Sequence, residues 1–128
     1  MNRNILVIDD EEGVRDAFEL ALIDSGHTVL TAETGERGLE IAAGTRPDLV
    51  FLDLRMPGMG GVKTLRALQS GFPDVPIQIM TAFYQEFMDE LSDAMRDGAE
   101  FELARKPLDA DQIRMIVQSV LDESPFTA

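Results

Sequence analysis

The stretch Asn4-Ile5-Leu6-Val7-Ile8-Asp9-Asp10 runs through apolar residues without a break and stops on two acids. Leu49-Val50-Phe51-Leu52-Asp53 repeats the plan further along. A strand with one wet face alternates apolar and polar residues, whereas an unbroken run suits a parallel strand buried on both faces. Val29-Leu30-Thr31-Ala32, Ile77-Gln78-Ile79-Met80 and Phe101-Glu102-Leu103-Ala104 are weaker strand candidates, the last alternating as an edge strand would. Between these runs lie helical patterns. Val14, Ala17, Phe18 and Ala21 recur at three-and-four spacing, as do Val62, Leu65 and Leu68, and Ile113, Ile116, Val117 and Val120. A shorter helix around Leu39, Ala42 and Ala43 ends at Gly44. Tyr84, Met88, Leu91 and Met95 mark one more helix, ending near Gly98. Strand and helix alternate five times, which predicts a doubly wound α/β sandwich. No repeat, low-complexity tract or internal linker interrupts it. The reading is one domain over residues 1–128, with no second domain in this chain.

The bulk composition agrees. A chain of 128 residues, 45% of them hydrophobic, can build a two-sided core. There is no cysteine. Disulfides, thiol nucleophiles and thiolate metal sites are therefore excluded, and a reducing, cytoplasmic setting fits. No signal-peptide pattern opens the chain, and no apolar run approaches membrane-spanning length. The formal charge of -13 repels nucleic acid, so no direct binding to DNA or RNA is expected.

In open parallel sheets, ligands bind beyond the carboxyl ends of the strands. Asp9, Asp10 and Asp53 stand at two such ends. Three carboxylates brought together repel one another unless positive charge stands among them. An oxygen-only cluster suits a hard cation, and magnesium that keeps several waters is the natural occupant. Lys106, just after the last strand, offers a fixed positive partner. Thr81 closes the fourth strand with a hydroxyl able to bond a phosphoryl oxygen.

With those positions in order, the sequence resembles the receiver domain of two-component response regulators. The resemblance rests on the pair Asp9-Asp10 after the first strand and Asp53 after the third. It rests also on the loop Arg55-Met56-Pro57-Gly58-Met59-Gly60-Gly61, on Thr81-Ala82 after the fourth strand and on Lys106-Pro107 after the fifth. It spans roughly residues 4 to 121. It implies a flavodoxin-like sheet of five parallel strands in the order 2-1-3-4-5. It also implies a magnesium-dependent phosphoacceptor, supplied by a histidine kinase or a phosphotransfer protein, rather than an enzyme with turnover. Asp53 would be the nucleophile. Asp10, Asp53 and the backbone carbonyl of Arg55 would bind magnesium, with Asp9 acting through a bound water. Thr81, Lys106 and the amide of Ala82 would hold the transferred phosphoryl group. Arg55 and Phe83 would overhang the site and slow the loss of phosphate. A surface of the fourth helix, fifth strand and fifth helix would meet an effector or a second copy.

Each element has a plainer reading. Asp9 or Asp10 could cap the following helix, Thr81 and Lys106 could be ordinary structural and surface residues, and Pro57-Gly58 a mere turn. His27, the one histidine, reads as a surface residue. What tips the balance is all the elements occurring in order, each at a strand end. A phosphohydrolase using an aspartyl phosphate needs an acid two residues after its nucleophile, where this chain has Arg55. A dinucleotide-binding domain needs a glycine-rich loop where this chain has Asp9-Asp10-Glu11-Glu12-Gly13. A pseudo-receiver that only binds partners is the remaining alternative.

Two departures from the family pattern stand out. The segment between Thr81 and Lys106 is longer than usual. The position three before Lys106, commonly tyrosine or phenylalanine, is Leu103. Either Phe101 takes the aromatic role through a bulge, or the switch is of another kind. Phe83, Tyr84, Phe87 and Met88 make the start of the fourth helix unusually apolar, with Phe83 and Phe87 expected beside the buried stripe. The sequence after the last helix, Asp122 to Ala128, carries no effector domain, as in a single-domain regulator or a receiver cut from a longer protein.

Overall fold

The computed structural model describes residues 2–121. The tail at 122–128 lies outside the described residues. Five strands, β1 (Asn4–Ile8), β2 (Thr28–Ala32), β3 (Leu49–Asp53), β4 (Ile77–Thr81) and β5 (Glu102–Arg105), form one parallel sheet in the order β2-β1-β3-β4-β5. Helices α1 (Glu12–Ala21), α2 (Gly35–Gly44), α3 (Gly60–Gly71), α4 (Met88–Arg96) and α5 (Ala110–Leu121) alternate with them. A single 3-10 turn, Tyr84–Phe87, precedes α4.

The apolar runs are central strands for the reason their composition suggests. In β3 every residue is buried, and consecutive side chains enter opposite cores. Val50 and Leu52 join Leu65, Leu68, Leu91 and Ala94 on one face. Leu49 and Phe51 meet Phe18, Ile113 and Val117 on the other, with the Phe18 and Phe51 ring centroids 4.7 Å apart. The switch in strand order falls between β1 and β3. Asp9, Asp10 and Asp53 emerge on either side of it.

Gly61 fixes how closely α3 approaches the end of β3. Its N–H donates to Leu54 O at 3.0 Å, and a Cβ there would run into Leu54 Cα and stand 2.7 Å from Asp53 O. Backbone cannot give way as a flexible side chain can. Gly61→Ala is expected to cost about 1–3 kcal/mol in urea denaturation. A loss below a few tenths would show that the loop yields freely.

The fourth helix corrects the sequence reading. The expected stripe of Tyr84, Met88, Leu91 and Met95 is not the buried one: Met88 and Met95 are 48% and 60% exposed. The inward stripe is Phe87, Leu91 and Ala94. Ala94 is fully buried but contributes little to an apolar pattern, and the methionines outweighed it in sequence. The fifth strand also begins one residue later than expected, at Glu102. Its register with β4 runs unbroken from Gln78↔Glu102 to Thr81↔Arg105. The bulge considered for Phe101 is not formed; Phe101 precedes the strand and packs into the α3–α4 core.

Candidate functional site

Asp9 follows β1 directly, and its N–H donates to Ala32 O, which extends the ladder by one rung. Its side chain is therefore carried inward, with 0% exposure. Asp9 Oδ1 accepts from Glu11 N–H at 2.9 Å, and Arg15 holds the Asp9 carbonyl at 2.7 Å. Helix α1 begins at Glu12 with no side-chain cap, so the helix-cap reading of this acid pair is set aside. Asp53 ends β3 and is 4% exposed. Asp10 is exposed at the rim. Carboxylate oxygens of Asp9, Asp10 and Asp53 all lie within 4.8 Å of one another.

A lysine faces this group. Lys106 Nζ is 2.7 Å from Asp9 Oδ2, 3.6 Å from Asp53 Oδ1 and 3.5 Å from Glu11 Oε1. Its N–H donates to Thr81 O at 3.0 Å, tying the lysine to the end of β4. The Lys106–Pro107 bond is cis. Thr81 is buried, and its Oγ1 accepts from Phe83 N–H at 3.0 Å. Asp10, Asp53, Ala82, Phe83, Lys106 and Arg55 line a cleft of about 320 Å³, with Glu11, Met56 and Pro57.

The electrostatics follow from this geometry. Burial, and then the Asp9 charge, push the Asp53 carboxyl from 3.8 up to about 7, with Asp10 adding a smaller push. Lys106 and the Arg55 N–H oppose the rise. Burial alone would lower the Lys106 ammonium. The Asp9 carboxylate 2.7 Å away, with the charges of Asp53 and Glu11, outweighs that and lifts it above its ordinary 10.5. Asp9 Oδ2 is fully buried and receives no properly angled hydrogen bond, although it has the lysine charge beside it. A buried carboxylate oxygen with spare acceptor capacity, among oxygen-only ligands in an open cleft, fits a hard divalent cation.

All five principal residues named from sequence, Asp9, Asp10, Asp53, Thr81 and Lys106, meet at this end of the sheet. Ala82, Phe83 and Arg55 lie at the cleft as well. Leu103 and Phe101 do not. Leu103 is 46% exposed on the edge strand, on the face shared with its partner Ile79. His27 lies at the opposite end, where its Nδ1 accepts from Arg3 N–H. Sequence reasoning missed Glu11 as the third acid on Lys106, although it directly follows the acid pair. It also missed Glu36, whose carboxylate accepts from Met59 N–H at 3.2 Å and steadies the loop after Asp53.

A doubly wound parallel sheet with a cluster of three acids and a largely buried lysine beyond its carboxyl edge defines the class. The chain belongs to the response regulator receiver domain family of two-component signalling, which matches residues 5–118. Sporulation initiation phosphotransferase F of Bacillus subtilis is 34% identical over 121 residues, 94% of this chain and 95% of that protein. Regulatory protein AtoC of Escherichia coli is 36% identical over 117 residues, 91% of this chain. The chain spans only 25% of AtoC. The structure of chemotaxis protein CheY4 from Vibrio cholerae matches with a TM-score of 0.80 at 27% identity, covering 94% of this chain and all of that one. Among the described residues, no helix is long and apolar enough to cross a membrane.

Proposed function

We propose that this domain accepts a phosphoryl group on Asp53 from the phosphohistidine of a kinase or phosphotransfer protein. The observation that carries the reading is the buried Asp53 carboxylate facing the cleft with Lys106 3.6 Å away. An Asp53 oxygen attacks phosphorus, the phosphorus–nitrogen bond breaks, and the imidazole leaves with the bonding pair. Lys106 meets the charge on the transferred oxygens. Thr81 turns its hydroxyl toward one of them and donates. This is positioning and charge neutralisation, which phosphoryl transfer chiefly needs. Asp10, Asp53 and the Arg55 carbonyl would hold magnesium, with Asp9 behind them. Bound magnesium would supply the positive charge that lets these acids and the phosphoryl oxygens share one cleft.

The domain promotes only its own transfer and dephosphorylation. We assign its effector or homodimer surface to α4, β5 and α5, where Met88 and Leu103 are exposed. Incubation with acetyl phosphate and magnesium, then borohydride reduction and peptide mapping, tests the phosphoacceptor. Reduction of Asp53 to homoserine is expected. Uptake elsewhere would move the site, and no uptake would leave a partner-binding module.

Since Asp53 holds its proton to about pH 7 without a cation, magnesium must displace that proton. Affinity for magnesium is therefore expected to tighten about tenfold between pH 6 and pH 8. Calorimetry in buffers of different ionisation enthalpy should show proton release near pH 6. An affinity flat across that range would count against Asp53 as a ligand.

A further inference from the structure

Helix α4 is held unequally at its two ends. At its C-terminal end, Arg66 of α3 pairs with Asp97 at 2.8 Å. Gln69 of α3 clasps both backbone groups of Glu100: its Nε2 donates to the carbonyl at 2.6 Å, and its Oε1 accepts from the N–H at 3.2 Å. Ala94, just before, is fully buried. At its N-terminal end, no residue of the Tyr84–Phe87 turn is fully buried, although Phe87 packs partly against the core and Arg105 of β5 lies over the Tyr84 ring at 5.3 Å. There the Arg55 guanidinium lies over the Phe83 ring, 4.3 Å from its centroid, and 4.0 Å from Glu86. Both Arg55 and Glu86 are more than half exposed, so the pair is weak. The same Arg55 lines the cleft of Asp53.

We propose that Arg55, parked on Phe83 and Glu86, latches the N-terminal end of α4, and that a phosphoryl group on Asp53 draws it away. The helix then pivots on the Arg66–Asp97 and Gln69–Glu100 clamp. The proposal rests on the phosphoacceptor reading. A guanidinium bonds a phosphoryl group with two parallel charge-assisted hydrogen bonds, which an exposed contact at 4.0 Å cannot match. Thr81 reinforces the release. Its oxygen holds Phe83 N–H at rest, and turning toward the phosphoryl group withdraws that bond. Both contacts converge on Phe83. No aromatic side chain on β5 is needed, and Leu103 can stand where one is usual.

Hydrogen exchange of the whole protein, with and without beryllofluoride and magnesium, tests the latch. In the wild-type adduct, the amides from Tyr84 to Met88 should exchange about tenfold faster while Ala99 to Leu103 hold their rates. Glu86→Gln, a surface change outside the phosphoryl site, should reproduce part of that acceleration without beryllofluoride. Wild-type exchange in resting Glu86→Gln would overturn the proposal, as would an adduct that loosens Ala99 and Glu100 as much as Tyr84. If Leu54 and Arg55 themselves do not respond to beryllofluoride, the phosphoacceptor reading fails and the latch with it. If they respond and Tyr84 to Met88 do not, the latch alone falls.

Discussion

Asp53→Asn is expected to take up no phosphate from acetyl phosphate and, in metal-free buffer, to be more stable than the wild type. Both effects come from one carboxylate. In the unfolded chain that carboxyl ionises at its ordinary 3.8; in the fold it holds its proton to about 7, chiefly through burial and the Asp9 charge. A raised carboxyl contributes stability at low pH and loses it as pH rises through the folded value. Wild-type stability should therefore fall between about pH 4 and pH 7 and level off above. The amide cannot ionise and escapes this loss. At pH 8 the variant should gain about 1–3 kcal/mol by urea denaturation in the presence of a chelator. The gain should shrink toward zero near pH 4, and saturating magnesium should narrow it. Equal stabilities at pH 8 would mean that the three carboxylates are not in tension. Phosphate uptake by the variant would remove Asp53 from the proposed chemistry.

The second large effect is expected at Lys106. Lys106→Met keeps a similar stem but removes the ammonium that stands 2.7 Å from Asp9 and 3.6 Å from Asp53. Losing one partner of a buried ion pair leaves the other charge uncompensated, at a cost of about 3 kcal/mol without metal. The rate of phosphorylation should fall about 10²–10³-fold, as for other single groups that stabilise developing charge. Magnesium separates the two effects. It supplies charge to the carboxylates, so it should restore much of the stability, yet not the contact with the transferred oxygens. Recovery of the rate together with the stability would make Lys106 a structural residue only.

Most of the site was legible because it is attached to the fold's simplest rule. Asp9, Asp10, Asp53, Thr81 and Lys106 each lie at or just beyond the carboxyl end of a strand, and recognising the strands recognised the residues. The central sheet was plain for the same reason, since β1 and β3 are buried on both faces. What stayed hidden depends on contacts between segments that no period relates. Glu11 meets Lys106 only because the loops after β1 and β5 rise on the same side of the sheet. Arg55 finds Phe83 and Glu86 across two neighbouring loops. The α4 stripe was misassigned because the position that packs tightest, Ala94, has the smallest side chain. The unbroken β5 register, which removes Phe101 from the site, is invisible in a strand whose residues are mostly exposed.

The hydrogen bond from Lys106 N–H to Thr81 O has one more consequence. It sets the separation of the two main-chain positions that carry the hydroxyl and the ammonium, and the side-chain rotamers work from there. On the proposed reading, the two groups would grip the transferred phosphoryl group from one shared footing and touch nothing of whatever carried it there. Upstream donors would then be free to differ in shape, sequence and origin, provided that each hands over a phosphoryl group.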